Sequence, residues 1–542
     1  MNQSAWQTAR AKKFKPVKAD AKYHVVVIGG GITGLSAAYY LKQAGQWVCV
    51  LERDRLGDGD TGHTTAHLTA VTDTRLPQLV KSFGEEGAKL VWQAGATAID
   101  AIESIAREHE IECEFRRVPG FLHASLTGEN KNENKKLADE AELANKLGIN
   151  AQFVEQVPYV NKPGIRFADQ AKFQPLAYLA GLAQLVDGEG SAIHEESEVT
   201  EVEDSPLAVK VGKRKIACNY LVIATHVPMM GIAGLASAAL LQTKLASFSS
   251  YAVSAALPKG NYPEASLWDT SNPYYYLRID RTKKGDRAIF GGEDHKTGQA
   301  ENTHACYEHL EKVLAGIFPG AKVDRHWSGQ VVESNDGLPF IGEMTAGQYL
   351  ATAFAGNGMT FGTLAGLMAR DHILGKDNPW QELFSPSRKK IRGGAMRYLK
   401  ENIDYPYYFV RDRMVSAEAD STRSVQRGEG KILNLDGRRV ACSRDDNGKL
   451  HVLAPECTHM GCVVRWNRAE KTWDCPCHGS RFHPDGAVLA GPAETPLKAV
   501  KPEPKKAQTA KAKSKKAPRH KAAANSRAKK PARRPVARAK SR

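Results

Sequence analysis

Long apolar runs, acidic residues near the C-terminus and evenly spread cysteines are all scarce in this chain of 542 residues, and each scarcity narrows what it can be. The longest apolar run, Tyr220 to Leu241, is broken by His226 and Pro228. What remains of it, Met229 to Leu241, falls short of the ~20 apolar residues that a helix needs to cross a bilayer. No transmembrane segment is expected, and the N-terminal stretch MNQSAWQTARAKKFKPVKAD has no apolar centre of the kind a secretory leader carries. A soluble, cytoplasmic protein is therefore expected. From Lys501 to the C-terminus there are 17 Lys and Arg against one acid, Glu503, while the first 500 residues hold 59 of each sign. The net charge of +16 is thus a property of the tail, and the remainder is neutral. Of nine cysteines, Cys49, Cys113, Cys218 and Cys306 are scattered, as in a reduced protein, whereas four crowd between residues 457 and 477. Such crowding signals a cofactor rather than a disulfide framework.

The stretch Tyr23 to Glu52 carries the first motif. Val25 to Ile28 reads as a buried parallel strand, Gly29-x-Gly31-x-x-Gly34 as the turn after it, and Ile32 to Gln43 as a helix stopped by Gly45. A second strand, Trp47 to Leu51, delivers Glu52. Glycines let the backbone approach a pyrophosphate, the helix N-terminus offers free N–H groups, and an acidic side chain accepts ribose hydroxyls. A dinucleotide is expected here, NAD or FAD being undecided by this stretch alone. The following loop is rich in Gly and Thr, and Thr64 and Thr65 are placed to meet the cofactor. Its histidines, His63 and His67, fit hydrogen-bonded loop positions better than covalent flavin attachment.

Helical spacing recurs over Phe83 to His109, Lys135 to Leu147 and residues 176–187, and Cys113 to Leu126 reads as a hairpin turning at Pro119-Gly120. Alternation over Val199 to Val211 suggests a strand pair, and Tyr220 to His226 a buried strand bringing Thr225 to the cofactor end of the sheet. Residues 243–330 have the texture of a separate, mostly antiparallel sheet, with strands over Ala246 to Ala256, Tyr274 to Ile279 and Ala288 to Gly291 and a helix over Thr303 to Gly316. The chain then returns with DGLPFIG (336–342), a strand over Tyr349 to Phe354, and a second glycine-rich turn, GNGMTFG (356–362).

Together GGGITG with Glu52, the ATHVP strand end, DGLPFIG and GNGMTFG resemble the FAD-dependent amine and D-amino-acid oxidoreductases, relatives of glycine oxidase and sarcosine oxidase, over roughly residues 23 to 376. The resemblance implies FAD. It assigns the dinucleotide to Gly29, Gly31, Gly34 and Glu52, and places Gly342, Gly356, Gly358 and Met359 near the flavin ring. Tyr274, Tyr276 and Arg278, alternating on one strand, are candidates for substrate contact, since Arg pairs a carboxylate. Their alternation equally fits one face of a packed sheet. A single dinucleotide fingerprint also argues against a bound nicotinamide donor.

Beyond a basic, aromatic connector (residues 386–420) come short strand-like runs around Cys457-Thr-His459-Met-Gly-Cys462 and Cys475-Pro-Cys477-His478-Gly-Ser480. Two such pairs on facing loops, Cys457 with His459 and Cys475 with His478, can give two thiolates to one iron and two imidazoles to the other. The competing reading is a tetrahedral Cys2His2 zinc site, whose ligands are usually spaced otherwise, with a helix presenting both histidines. The segment is similar to Rieske [2Fe–2S] domains of the cytochrome bc type. That likeness implies a disulfide between Cys462 and Cys477, which a reducing compartment would spare only if buried. It also implies hydrogen bonds to the cluster from a serine and a tyrosine. Ser480 is present, but Phe482 stands at the second position and cannot donate, so a potential in the lower part of the Rieske range is expected.

The expected organisation is an N-terminal arm (1–22), an oxidoreductase region (23–385), a linker (386–420), a Rieske domain (421–500) and a disordered Lys/Arg/Ala/Pro tail (501–542). Within the second, an α/β Rossmann-type FAD part (about 23–82, 174–242 and 327–376) alternates with a substrate sheet (about 83–173 and 243–326). The tail could bind nucleic acid or another anionic surface without reading sequence. The function expected is a flavin-dependent amine or amino-acid dehydrogenase passing electrons between FAD, the cluster and an external one-electron partner. Alternatives are an oxygen-using oxidase with a regulatory cluster, a non-catalytic redox-responsive polyanion binder, and flow in the reverse direction.

Overall fold

The computed structural model describes residues 3–7, 9–128, 131–228, 241–283, 285–388 and 404–500. The tail 501–542, residues 229–240 of the apolar run and residues 389–403 of the connector lie outside them. Val25–Ile28 is a central strand of a six-stranded sheet ordered Phe340–Thr345, Gln348–Thr352, Tyr220–Ile223, Val25–Ile28, Val48–Leu51, Ala192–His194. All neighbours are parallel except Phe340–Thr345, which returns antiparallel. Every side chain of Val25–Ile28 is buried, as a strand covered on both faces requires. Val25 and Val27 pack among the helices, whereas Val26 and Ile28 face a smaller sheet through Val199, Val209 and Ile216. That smaller sheet contains Val199–Asp204, Leu207–Val211 and Arg214–Ala217, with Ala21–Lys22 of the N-terminal arm added in parallel to the last. The arm also sends Trp6 and Phe14 into the main core.

The second layer system is a nine-stranded sheet. Its path runs Lys322–Ser334, Leu245–Ala256, Gly285–Lys296, Tyr276–Thr282, Ser266–Asp269, Arg116–His123, Gly164–Lys172, His67–Leu68, with Ala151–Val154 beside Gly164–Lys172. It is antiparallel except where Ser266–Asp269 meets Arg116–His123. Residues 327–334, which the sequence groups with the FAD part, are the end of its edge strand.

The expected hairpin at Pro119-Gly120 is not formed: Arg116–His123 continues through both residues as one strand. Its register against Gly164–Lys172 shifts between Val118 and Gly120, so Pro119, with no N–H to offer a ladder, sits at an irregularity rather than a turn. The helix expected from Phe83 starts earlier, at Leu76, and is kinked at Gly84.

The Rieske region is two small antiparallel sheets: Glu429–Leu435, Arg438–Arg444 and Leu450–Leu453, and Arg465–Asn467, Thr472–Asp474, Arg481–Phe482 and Val488–Ala490. Trp473 and Phe482 are fully buried between the ligand loops and the strands. A helix, Asp404–Met414, leads into it, and Arg413 donates to the Gly461 carbonyl at 2.7 Å. Among the described residues no helix is long and apolar enough to cross a membrane.

Candidate active site and cluster site

A cavity of about 1170 Å³ runs from the Gly29–Gly31 turn, past residues 57–75, to the strands of the large sheet. The turn is tight because its packing demands it: a Cβ on Gly34 would lie 1.9 Å from the Gly29 carbonyl oxygen. Behind it the Ile32 N–H donates to Thr61 Oγ1 at 3.0 Å. Glu52 accepts from the Gly30 N–H at 2.6 Å and from the Asp54 N–H at 2.9 Å. Burial raises its pKa, and those two N–H groups hold it back. Gly29, Gly31, Glu52, Thr64, Thr65, Thr225, Gly356, Gly358 and Met359 all line the cavity, so residues far apart in sequence meet there. Gly34 stands behind the turn rather than on the wall. His67 lines it as well, but burial lowers its pKa to about 4 and its ring is held between Thr65 Oγ1 and the Leu277 carbonyl.

Gly342 is elsewhere. Its strand carries it past the cavity, where a Cβ would lie 2.8 Å from Pro386 Cδ; Gly337, earlier in the same DGLPFIG turn, is the residue that reaches the wall. Arg278 also falls outside. It is buried, with Nε on Asp280 at 2.8 Å, Nη1 on the Ala66 carbonyl at 2.8 Å, and its guanidinium over the Trp6 ring. The charge expected to meet a substrate carboxylate is spent inside the fold.

Tyr274 and Tyr276 do line the cavity, and each contacts a group that sequence reasoning missed. Tyr274 donates to Asp73 Oδ1 at 3.1 Å, and Asp73 Oδ2 accepts from the Gly356 N–H at 2.7 Å. Ser250 Oγ lies 2.7 Å from the Tyr276 hydroxyl and donates to Asp294 Oδ1. Burial pushes Asp294 up to about 7, against the pull of the Ser250 hydroxyl, with Asp73 and Glu333 raising it further. In the sequence Asp294 is one charge in a Glu-Asp-His-Lys run at a strand end, with nothing to separate it from an exposed edge.

The cluster site is local. Its two loops are closed by the same pair of backbone bonds. Cys457 N–H donates to Cys462 O at 2.8 Å and Gly461 N–H to Cys457 O at 2.8 Å; Cys475 N–H donates to Ser480 O at 2.8 Å and Gly479 N–H to Cys475 O at 3.1 Å. This brings the His459 and His478 rings to 4.8 Å and the Cys457 and Cys475 sulfurs within hydrogen-bond reach. The bond from Cys475 draws the Cys457 thiol down to about 7, with the His459 amide and Ser480 assisting. Burial lowers both histidines to about 4, so they are neutral, as ligands must be.

The donor set fits a cluster. His478 Nδ1 is buried without a partner, and His459 Nε2 is taken by Gln242 Oε1 at 3.1 Å, which leaves its Nδ1 for metal. Cys462 and Cys477 are joined as a disulfide. Their sulfurs and that of Cys475 lie within 4.8 Å of one another, so the bridge packs against the sulfur of a candidate ligand.

The fold and the two sites define a flavoprotein with an iron–sulfur domain. The chain belongs to the FAD dependent oxidoreductase family (DAO), whose profile matches residues 24–371, and residues 416–501 match the Rieske [2Fe-2S] domain. It is 33% identical over 503 residues to the "Putative Rieske 2Fe-2S iron-sulfur protein YhfW" of Bacillus subtilis, covering 91% of this chain and 97% of that protein. It is 24% identical over 434 residues to gamma-glutamylputrescine oxidoreductase of Escherichia coli, covering 76% and 98%. Glycine oxidase from Geobacillus kaustophilus shares the fold at a TM-score of 0.57 and 18% identity, over 68% of this chain and 99% of that one. The protein is an oxidoreductase whose cofactors are FAD and a Rieske-type [2Fe–2S] cluster.

Proposed function

We propose that the protein is an amine dehydrogenase whose electrons leave through the Rieske cluster to an external one-electron acceptor. The observation that carries this reading is the seating of the second ligand loop on the sheet that walls the FAD cavity: Gln299 Nε2 donates to the Pro476 carbonyl at 3.0 Å, and Gln330, a cavity-wall residue, reaches the Gly479 carbonyl. When bound, FAD supplies a hydride acceptor and the cluster a one-electron carrier, so that an amine yields an imine, two protons and two electrons delivered singly to two acceptor molecules.

The chain's own groups select and prepare the amine. Asp73 and Asp294 give the cavity the charge that attracts an ammonium group, and Arg278, committed to Asp280, offers nothing to a carboxylate. This favours an amine over an amino acid. Above about pH 7 the Asp294 carboxylate is ionised and can take the ammonium proton, which frees the nitrogen lone pair needed for C–H cleavage. Ser250 and Tyr276 orient that carboxylate from one side. The Tyr276 phenol keeps its proton, since burial and then Asp294 raise its pKa.

Anaerobic addition of putrescine, benzylamine, glycine and proline to the holoprotein tests the reading. The amines should bleach the flavin faster than the amino acids do, with the cluster following. Faster reduction by glycine or proline would overturn the substrate assignment, and a cluster left oxidised beside reduced flavin would overturn the route.

A further inference from the structure

Gln330 belongs to both sites. It lies on the edge strand Lys322–Ser334 and is 3% exposed. Its backbone N–H donates at 2.7 Å to Oδ1 of Asp60, another residue of the FAD cavity wall. Its side-chain amide donates at 2.7 Å to the carbonyl of Gly479, the residue after the ligand His478, and at 3.3 Å to Thr297 Oγ1. Both amide hydrogens are thereby used, and Oε1 remains buried without a partner. The opposite placement of the amide would set Oε1 against the Gly479 carbonyl, so the network fixes its orientation. The loop lies tight against the sheet at this point, since a Cβ on Gly479 would lie 2.4 Å from Ser247 Cβ on the neighbouring strand. One short side chain therefore ties the wall of the flavin cavity to the loop that carries Cys475 and His478.

We propose that Gln330 is the positioning residue that holds this loop against the cavity wall and thereby sets the rate of electron passage between the two centres. The inference rests on the relay proposed above. In each passage one electron leaves reduced flavin and one ferric iron becomes ferrous, which an acceptor molecule then reoxidises; after two, the flavin is reoxidised, its proton has gone to solvent, and two acceptor molecules have taken one electron each. Tunnelling between centres depends on how closely and firmly they are held, and the Gln330 amide joins the wall of one directly to the ligand loop of the other.

The test uses full-length holoprotein under anaerobic conditions, with a laser flash absorbed by the bound flavin and EDTA as sacrificial donor, so that no amine substrate is needed. In wild type the cluster bleaches after the flash. Gln330→Leu should slow that step by on the order of tenfold or more, the scale of loss that small misplacements cause. Gln330→Glu supplies the signature a merely structural role lacks: its neutral acid can donate to the Gly479 carbonyl, whereas its carboxylate cannot. Passage in that variant should be near wild type at low pH and fall as the introduced carboxyl group ionises, while Gln330→Leu stays slow at every pH. Gln330→Met serves in place of the Leu variant should that not fold.

A second readout needs no loaded cofactor turnover. Amide hydrogen exchange over residues 475–480, in protein stripped of FAD, should quicken by about tenfold in Gln330→Leu, in line with one lost buried hydrogen bond. Wild-type rates in both variants, or Leu and Glu variants alike at all pH with unchanged exchange, would overturn the proposal. A wild-type protein whose cluster never reduces after the flash would overturn the relay and the rate claim with it, while the exchange result would still decide whether Gln330 holds the loop.

Discussion

The cluster site and the flavin site are built on opposite plans. All four candidate cluster ligands and the disulfide fall between Cys457 and His478, on two loops closed by matching backbone bonds. The flavin cavity gathers Gly29–Gly31, residues 57–75, Ser250, Tyr274, Tyr276, Asp294, Gln330 and the turn 355–359, drawn from two sheets and most of the oxidoreductase region. A compact loop site stands or falls on its ligands, whereas a dispersed cavity can lose one wall residue and keep its shape. Substitutions should divide along that line.

The largest effect is expected for Cys475→Ser, which should abolish the cluster while leaving FAD bound; iron and sulfide analysis beside the flavin spectrum checks it. Loss of both cofactors would mean the two sites do not fold separately. The converse variant is Gly34→Val, whose Cβ cannot fit 1.9 Å from the Gly29 oxygen. It should lose FAD, cost about 1–3 kcal/mol of stability by overpacking, and keep the Rieske electron paramagnetic resonance signal.

Asp294→Asn sharpens the chemistry of the dispersed site. Flavin reduction should slow by roughly 10²–10⁴-fold, the range for a general base. In wild type the rate should rise with pH through about 7, where Asp294 ionises, and the variant should lose that limb. Stability runs the other way. An acid whose pKa is raised in the fold binds its proton more tightly there than in the unfolded chain, so wild type should lose stability as pH rises from about 4 to about 7 and change no further above it. Urea midpoints at either end of that window should show the decline in wild type and its absence in the variant.

Arg278→Met should act on the fold rather than the substrate, destabilising by about 3–5 kcal/mol because Asp280 is left buried and partly unpaired. KM for the amine should stay near wild type, and a large rise in KM with unchanged stability would restore Arg278 to the substrate site. The smallest change is expected from Phe482→Tyr, which offers a new hydroxyl beside the cluster loops and should raise the midpoint potential. A potential unchanged or lowered would remove the argument from the missing donor.

The same contrast explains what could be read in the sequence. Val25–Ile28 and Ile32–Gln43 have the bounds that apolar spacing predicts, because a buried parallel strand and the helix after it are dictated locally. The candidate cluster ligands can be picked out for the same reason, since their spacing places them on two short facing loops. Arg278 was not legible, because, apart from Asp280, what claims it comes from elsewhere: Trp6 in the N-terminal arm, and the Thr65 and Ala66 carbonyls. Asp73 and Asp294 have no periodic signature, and only the meeting of a loop, two strands and the Gly356 turn makes them neighbours. Pro119-Gly120 misled because turn residues also serve where a strand bulges.

Whether both centres belong to one electron path is decided by reduction with limiting amine. Anaerobic holoprotein should be mixed with less than one equivalent of the amine that reduces it, and the reduced cluster quantified by electron paramagnetic resonance against the flavin lost. Reduced cluster should appear with reduced flavin, the electrons in the two summing to two per amine consumed. Flavin reduced by the full two electrons beside a cluster still wholly oxidised would contradict a shared path.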